Sequence, residues 1–359
     1  MIKRLVLSLT PKIIHDGYLA IKKKYQYKKF EKQYFSVIKK VRVKDKIQVA
    51  FYLFNADTWK ADSVYKEFES NEKFIPHIVI CPLINKGDSF LNEQFNQCLN
   101  LVKRKSYRYI VGFTGDTEAS VKPLKTPVFD IVFFLNPNPL TILKFTLSNN
   151  RKSLNCYIPY SFNIDNLLEY EYNNFTLNSM FKVFTLTDYH QKMYAKYSDI
   201  KGQNTFVSGF PQLDSYFKRA DTNPWKSPKS TRKKIVWGPH WTIPGLQGTN
   251  LDWACFLNYA NFILRLADKY KNEVEFALKP HPFLFNLLEK DQNWGAEKVK
   301  LYLDEWNARE NCQLVNGNYV DLFKYSDALI HDSGSFTVEY LCLNKPVAYT
   351  VNNENYLAR

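Results

Sequence analysis

Apolar and polar residues alternate along the chain in a pattern that predicts strands followed by helices. Short apolar runs rich in β-branched and aromatic residues predict buried strands, and amphipathic stretches between them predict helices. Between residues 47 and 208 the predicted strands are 47–55, 77–82, 109–113, 131–135, 155–160, 183–187 and 205–208, and the predicted helices are 58–70, 90–105, 164–180 and 189–198. This alternation predicts a parallel sheet covered by helices on both faces.

A polar stretch with two prolines interrupts the alternation at residues 212–234, and we predict a linker there. The pattern then resumes, with strands at 235–237, 274–278, 313–315, 328–330 and 346–350 and helices at 251–270, 297–309, 319–325 and 336–343. The predicted organisation is a basic arm (1–46), an N-terminal Rossmann-like domain (47–211), the linker (212–234) and a C-terminal Rossmann-like domain (235–359). Because few residues follow the last strand, we expect that the natural chain could extend beyond Arg359.

The basic charge of the chain is concentrated at its N-terminus. The formal net charge is +14, and residues 1–46 hold 14 Lys and Arg against three acidic residues, a net of +11. Aromatic side chains lie among these lysines, a mixture typical of segments that bind anionic membrane surfaces. A solvated helical hairpin and a nucleic-acid-binding arm are the alternatives. We expect membrane binding and no nucleic-acid partner.

Other features of the composition favour an enzyme of the cytoplasm. No apolar run is long enough to predict a transmembrane helix, and the apolar run at the N-terminus is too short for a signal peptide. The six cysteines are scattered singly, which favours reduced thiols over a disulfide framework or a zinc site. We therefore expect a cytoplasmic protein that lies peripherally on the inner face of the membrane.

Three polar clusters follow predicted strands in the second half, where open α/β sheets bind their ligands. They are residues 238–241 (GPHW), 279–282 (KPHP) and 331–335 (HDSGS). In the third cluster a strand, a Ser-Gly-Ser sequence and a helix start together predict an anion site, because the first backbone N–H groups of a helix point towards a ligand. Gly334 would allow a close approach of phosphate, and Ser333 and Ser335 would donate hydroxyl hydrogen bonds. An ordinary helix cap is the alternative.

The other clusters supply charge and imidazole groups. Lys279 offers a positive charge, and His281, held between two prolines, offers a donor or a proton shuttle. His240 is a further candidate, with a buried structural role as its alternative. Glu339 lies one helical turn beyond Ser335 and is expected either to accept from ribose hydroxyls or to lie on a solvated face.

Several common signatures are absent. The sequence has no GxxxxGK[ST] loop, no GxGxxG and no GxSxG, which argues against a P-loop NTPase, a standard dehydrogenase and an α/β-hydrolase. A DxD metal pair at a strand end is also missing, so no metal is expected to be required.

The clusters and their spacing resemble one family, the CDP-glycerol glycerophosphotransferases, which are teichoic-acid primases and polymerases of the TagB/TagF type and related capsule-forming transferases. The resemblance rests on residues 239–241 (PHW), 279–282 (KPHP), 325–349 (YSDALIHDSGSFTVEYLCLNKPVAY) and 204–214 (NTFVSGFPQLD). It implies a GT-B fold, in which two Rossmann-like domains enclose the active site.

The resemblance also implies roles for particular residues. Lys279 and His281 would contact the diphosphate of a nucleotide-activated donor, as would Ser333, Gly334 and Ser335, with no further cofactor. The chain departs from the family in three places. His331 stands where the family has Thr, Gly334-Ser335 replaces two adjacent hydroxyl residues, and the His-Gly pair of the N-terminal domain has no counterpart, its nearest context being residues 157–161.

We therefore predict a transferase that moves glycerol-phosphate, another alditol-phosphate or a sugar from a nucleotide-activated donor to a lipid-linked or oligosaccharide acceptor of a cell-surface glycan. His240 and His281 are the predicted catalytic residues, and Lys279, His331, Ser333, Gly334, Ser335 and Glu339 the predicted donor-binding residues. The alternatives are an enzyme related to nucleotide-sugar 2-epimerases and a binding protein for polyanions or membranes that has no catalytic activity.

Overall fold

The structure, a computed structural model, describes residues 12–138, 140–164, 166–218, 222–243, 253–317 and 319–351. The chain divides into two compact units, Met1–Tyr160 with Leu167–Pro211, and Ser161–Asn166 with Gln212–Arg359. The first eleven residues of the predicted arm lie outside the described residues, as does the start of the helix predicted at 251–270.

In the first unit the described α-helices are α1 (Lys12–Val41), α2 (Asp62–Ser70), α3 (Asp88–Arg104), α4 (Leu168–Tyr172), α5 (Phe175–Asn178) and α6 (Asp188–Tyr197). Short 3-10 helices lie at Ala56–Thr58, Leu143–Phe145 and Leu147–Asn149. The strands are β1 (Ile47–Leu53), β2 (Phe74–Ile80), β3 (Tyr109–Val111), β4 (Phe113–Thr114), β5 (Lys122–Pro123), β6 (Ile131–Phe134), β7 (Leu154–Tyr157), β8 (Lys182–Thr185) and β9 (Thr205–Val207).

The first unit is built on a parallel sheet with the strand order β3-β2-β1-β6-β7-β8-β9. β1 lies between β2 and β6 and is almost entirely buried, as its continuous apolar sequence predicts. Phe51 of β1 stacks on Phe133 of β6 at 4.8 Å between ring centroids. β4 and β5 form a separate antiparallel pair.

The basic arm is a long helix with one buried stripe. Side chains spaced three or four residues apart on α1 are buried: Tyr27, Phe30, Tyr34, Val37 and Val41. The Tyr34 hydroxyl donates to the backbone oxygen of Ser179 at 2.8 Å, and the Tyr27 hydroxyl donates to Asp199 at 3.1 Å. The second half of α1 is therefore packed against the first unit, while its lysines remain exposed.

In the second unit the described helices are α7 (Asp214–Phe217), α8 (Phe256–Lys269), α9 (Leu284–Leu288), α10 (Gly295–Ala308), α11 (Val320–Lys324) and α12 (Gly334–Leu341). The strands are β10 (Lys233–Gly238), β11 (Val274–Leu278), β12 (Cys312–Leu314), β13 (Ala328–His331) and β14 (Val347–Tyr349). They form a second parallel sheet with the order β12-β11-β10-β13-β14. One core cluster is centred on Trp237 and Trp306, and another on Phe323 and Tyr340.

Two segments differ between the prediction and the structure. The helix predicted at 164–180 is two short helices, because the side chain of Asn174 accepts hydrogen bonds from the backbone of residues 176 and 177 and so starts a new helix. The stretch predicted as a linker contributes to the second core, since Tyr216 and Trp225 are buried in it.

Candidate functional site

The three polar clusters lie at the carboxyl ends of neighbouring strands. β10 pairs with β11 on one side and with β13 on the other, and Gly238 lies opposite His331 in the register of the sheet. The order of the strands reverses at this place, which makes it the switch point where open α/β sheets bind ligands. The strand topology therefore brings together the turns that the sequence singled out.

Hydrogen bonds join these turns into one structure. Nδ1 of His331 donates to the backbone oxygen of Gly238, and the backbone N–H of His281 donates to the oxygen of Pro239 at 3.0 Å. The backbone N–H of His240 donates to Oδ1 of Asp332 at 2.8 Å. Gly238, Pro239 and His240, three consecutive residues of the first turn, are thus each held by a hydrogen bond from one of the other two turns.

The rings of His240 and His281 lie side by side, with 5.1 Å between their centroids. Nδ1 of His281 accepts the backbone N–H of Phe283 at 3.2 Å, and Nδ1 of His240 accepts that of Thr242 at 3.4 Å. Because a backbone N–H can only donate, each neutral ring carries its proton on Nε2. The Thr242 hydroxyl, at 2.9 Å from Nδ1 of His240, then donates to it.

Both rings are neutral at ordinary pH. Burial, together with the neighbouring His331, lowers the pKa of His240 to about 3. Burial also lowers the pKa of His281 well below its usual value, and the nearby His240 adds to this effect. Two neutral imidazoles with their protons on Nε2 are suited to donate hydrogen bonds to phosphate oxygens. The neutral state therefore favours a role of His281 as a hydrogen-bond donor over the alternative role as a proton shuttle.

Asp332 is a residue of the site that our sequence analysis missed. Its carboxylate is buried, with 1% exposure, and accepts the backbone N–H of Cys255 at 2.7 Å in addition to that of His240. It therefore ties the turn after β10 to the start of α8. Asp332 lies between His331 and Ser333, which are both predicted site residues, and this position is the signal that could have identified it.

Ser333 has a different role from the one expected. Its hydroxyl lies 2.8 Å from Nε2 of His331. Since Nδ1 of His331 donates to a carbonyl oxygen, Nε2 of the neutral ring accepts, and the Ser333 hydroxyl donates to it. Ser333 does occupy the N-cap position of α12, as one alternative predicted, but among the described residues its side chain makes no capping bond to the helix.

Gly334 faces an apolar side chain. A Cβ atom at Gly334 would lie 2.3 Å from Cγ1 and 2.8 Å from Cδ1 of Ile164, a residue of the segment Ser161–Asn166 that belongs to the second unit. We expected the missing side chain to leave room for phosphate. In the structure Ile164 fills that room.

The remaining predicted residues occupy different surroundings. Lys279 is buried, and its Nζ lies 3.4 Å from the oxygen of Pro280. Ser335 is half-buried in the first turn of α12. Glu339 is buried and accepts hydrogen bonds from the hydroxyls of Tyr216 at 2.9 Å and Tyr319 at 2.8 Å. Neither expectation for Glu339, a ribose contact or a solvated surface position, describes these contacts.

The described residues offer neither a metal-binding cluster nor a helix that could cross a membrane. In the described ranges no three His, Cys, Asp or Glu side chains are grouped as ligands of a metal ion. Over the same residues, no helix combines the length and the apolar character that a membrane crossing requires.

Solved structures with a similar fold identify the fold class of the chain. A variant of the wall teichoic acid polymerase TagF superimposes with a TM-score of 0.53 at 13% identity, covering 96% of this chain and 81% of the other. A UDP-N-acetylglucosamine 2-epimerase from Rickettsia bellii gives 0.51 at 17% identity, with 84% and 78% covered. The Staphylococcus aureus MnaA–UDP structure gives 0.50 at 13% identity, with 86% and 80% covered. These likenesses and the two parallel sheets confirm the predicted GT-B-like α/β class.

The family follows from the sequence match. Residues 168–359 match the model of the family described as CDP-Glycerol:Poly(glycerophosphate) glycerophosphotransferase. Because this match spans more than half of the chain, the chain belongs to that family, and it is an enzyme, a transferase that uses a nucleotide-activated donor. A comparison with curated proteins found no match.

Proposed function

We propose that the enzyme transfers glycerol-phosphate, another alditol-phosphate or a sugar from its nucleotide-activated donor to a glycan of the cell surface, of the capsule, teichoic-acid or lipopolysaccharide type. The observation that carries the proposal is the hydrogen-bonded set of turns at the switch point of the second sheet. The acceptor in this proposal is lipid-linked or an oligosaccharide.

In this proposal the turns bind the diphosphate of the donor. The Nε2–H groups of His240 and His281 donate to its oxygens, and the backbone N–H groups at the start of α12 donate to the same group. Lys279 supplies a positive charge from a buried position, where its interaction with phosphate is less screened than at the surface. The expected role of Ser335 as a hydroxyl donor at this helix start remains part of the proposal. Gly334 contributes only its backbone N–H, because Ile164 occupies the space beside its Cα atom.

These groups also serve the chemical step. The hydroxyl oxygen of the acceptor forms the new bond to the donor and gives its proton to a general base. The bond to the nucleotide breaks, and the nucleotide leaves with its pair of electrons. Negative charge builds on the departing phosphate, and fixed N–H donors aimed at it stabilise the transition state. In this scheme His240 and His281 assist departure of the leaving group as hydrogen-bond donors.

A binding panel tests the proposal. CDP-glycerol, CDP-ribitol and UDP-sugars would be compared by thermal shift and calorimetry, with His281→Gln and Ser335→Ala as site variants. Ser230→Ala, on the loop before β10, serves as the control. We expect at least one donor to bind the wild type and the control, and to bind each site variant more weakly. Binding to none, or equal affinity in all proteins, would contradict the assignment.

The fold is also compatible with epimerase activity, because structures of 2-epimerases superimpose on the chain. Incubation with UDP-N-acetylglucosamine separates the two activities. An epimerase converts the sugar nucleotide without an acceptor, whereas the proposed transferase releases free nucleotide only when an acceptor is supplied.

We further propose that α1 holds the enzyme at the anionic inner face of the membrane. Its buried stripe fixes the helix on the first unit, and the opposite side carries exposed lysines together with exposed Ile21, Tyr25 and Phe35. Apolar side chains between exposed lysines suit the headgroup region of an anionic bilayer, where each charge contributes about 1 kcal/mol.

Charge reversal tests this attachment without disturbing the stripe. A variant with Lys22, Lys23 and Lys24 changed to Glu would be compared with one in which the exposed Lys290, Lys298 and Lys300 of the second unit are changed to Glu. Both variants have the same net charge. We expect only the first to lose sedimentation with vesicles of phosphatidylglycerol and phosphatidylcholine, and equal losses would refute a specific role of α1.

A further inference from the structure

His331 is buried between two oxygen atoms that fix its ring. The side chain has 4% exposure. Nδ1 donates to the backbone oxygen of Gly238, and Nε2 accepts from the Ser333 hydroxyl at 2.8 Å. The carbonyl can only accept, so the direction of the Ser333 hydrogen bond depends on whether Nε2 carries a proton.

Ser333 stands at the start of α12, where a bound anion would receive the helix N–H groups. In the neutral state of His331 the hydroxyl hydrogen of Ser333 is committed to Nε2. If Nε2 takes a proton from solvent, it becomes the donor to Oγ of Ser333. The hydroxyl hydrogen is then free to turn towards another acceptor.

We propose that His331 and Ser333 form a phosphate contact that is switched on by one proton. Binding of the donor diphosphate brings a proton onto Nε2 of His331, and Ser333 then donates its hydroxyl hydrogen to a phosphate oxygen. The one bond that forms is the N–H bond at Nε2 of His331, and its proton comes from solvent. This inference rests on the proposed donor site.

The charged and titratable groups around His331 determine how it responds. On its own turn, Oδ1 of Asp332 lies 3.9 Å from Nδ1 and favours the protonated ring. From the turns after β10 and β11, His240 and His281 interact electrostatically with His331. Both are neutral, because burial lowers their pKa, so they do not oppose the proton. From β14, the Tyr349 hydroxyl donates to the backbone oxygen of Asp332.

Calorimetry measures how many protons the protein takes up when the ligand binds. Binding of CDP-glycerol and of UDP-N-acetylglucosamine would be titrated in buffers of different ionisation enthalpy between about pH 6 and pH 8, where an ordinary histidine titrates. In both probes the diphosphate is esterified at each end, so the ligand itself takes up no proton there. For the wild type we expect uptake approaching one proton, and an affinity that rises by up to about tenfold per pH unit as the pH falls.

Three variants separate this mechanism from a structural role. His331→Gln should abolish the proton uptake, and Ser333→Ala should lose affinity at low pH but little at high pH. Ser335→Ala, on the same helix turn, serves as the matched control and should lose affinity equally at both ends of the range with the uptake unchanged. Thermal melting of each variant shows whether it is folded.

Two results would overturn the inference. One is wild-type proton uptake in His331→Gln, which would assign the proton to His240 or His281. The other is a loss in Ser333→Ala that does not depend on pH. If neither probe binds the wild type, the proposed donor site fails and this inference fails with it, whereas binding without proton uptake removes only the inference.

Discussion

The contact between Gly334 and Ile164 gives a measurable coupling. Replacing Gly334 by Ala places a Cβ atom 2.3 Å from Cγ1 of Ile164, far inside normal contact distance. Overpacking of a closed core costs about 1–3 kcal/mol. Because Ile164 is 48% exposed and its outer atoms can shift, we expect a cost near the lower end, about 1 kcal/mol. Ala also has a higher helix propensity than Gly, by up to about 1 kcal/mol, so the single variant is expected to show only part of the clash.

A double-mutant cycle isolates the clash. In Ile164→Ala, Cγ1 and Cδ1 are removed and only Cβ remains, 3.8 Å from the new methyl group, which is an ordinary contact. Gly334→Ala should therefore be less favourable for stability in the wild type than in the Ile164→Ala background. We expect a coupling of about 1 kcal/mol from urea unfolding.

Gly17 provides the control for this cycle. It lies in α1, and a Cβ there would meet nothing within 4 Å. Gly17→Ala should gain the helix propensity alone, and its effect should add to that of Ile164→Ala. A coupling between Gly334 and Ile164 below about 0.5 kcal/mol, the usual scatter for independent sites, would refute the proposed packing of the segment Ser161–Asn166 on α12.

Three further predictions concern stability. Phe30→Ala, in the buried stripe of α1, should cost about 3–5 kcal/mol in urea unfolding, whereas the 61% exposed Phe35 should change stability by less than about 0.5 kcal/mol when replaced by Ala; similar effects would contradict the packing of α1. Asp332→Asn should cost about 1–3 kcal/mol, because the amide nitrogen cannot accept one of the two backbone N–H groups, and a negligible loss would argue against both bonds. The lowered pKa values of His240 and His281 mean that the unfolded chain binds more protons below about pH 6.5, so unfolding free energy should fall with decreasing pH by up to about 1.4 kcal/mol per unit for each ring. In the variant with His240 and His281 both changed to Gln, the unfolding free energy from urea melts at two pH values should fall less with decreasing pH than in the wild type. An equal fall in the two proteins would refute the neutral state of the two rings.

Much of the fold could be predicted from the sequence because parallel strands buried on both faces are mostly apolar; β1 and β11 contain one polar residue each, Gln48 and Glu275. The strands starting at Ile47 and Val274 were recognisable for this reason, and each candidate turn follows such a run. Element ends were harder to predict, since they depend on single capping side chains such as that of Asn174.

Features that depend on contacts between distant parts of the chain were not predictable. The bond from His331 to Gly238 joins residues 93 positions apart, and no local pattern encodes it. For Glu339, the spacing from Ser335 suggested either a ribose contact or a solvated face, but the hydroxyls of two tyrosines from other elements donate to its carboxylate. The packing of Ile164 on Gly334 joins residues even further apart.

The three hydrogen bonds that fix Gly238, Pro239 and His240 have a consequence for the strength of binding. Ordering a flexible loop around a ligand costs conformational entropy that is subtracted from affinity. Here that entropy is lost when the second sheet forms, so a ligand meets a preorganised surface. Substitutions that loosen this turn should therefore weaken binding even when every side chain that touches the ligand is retained.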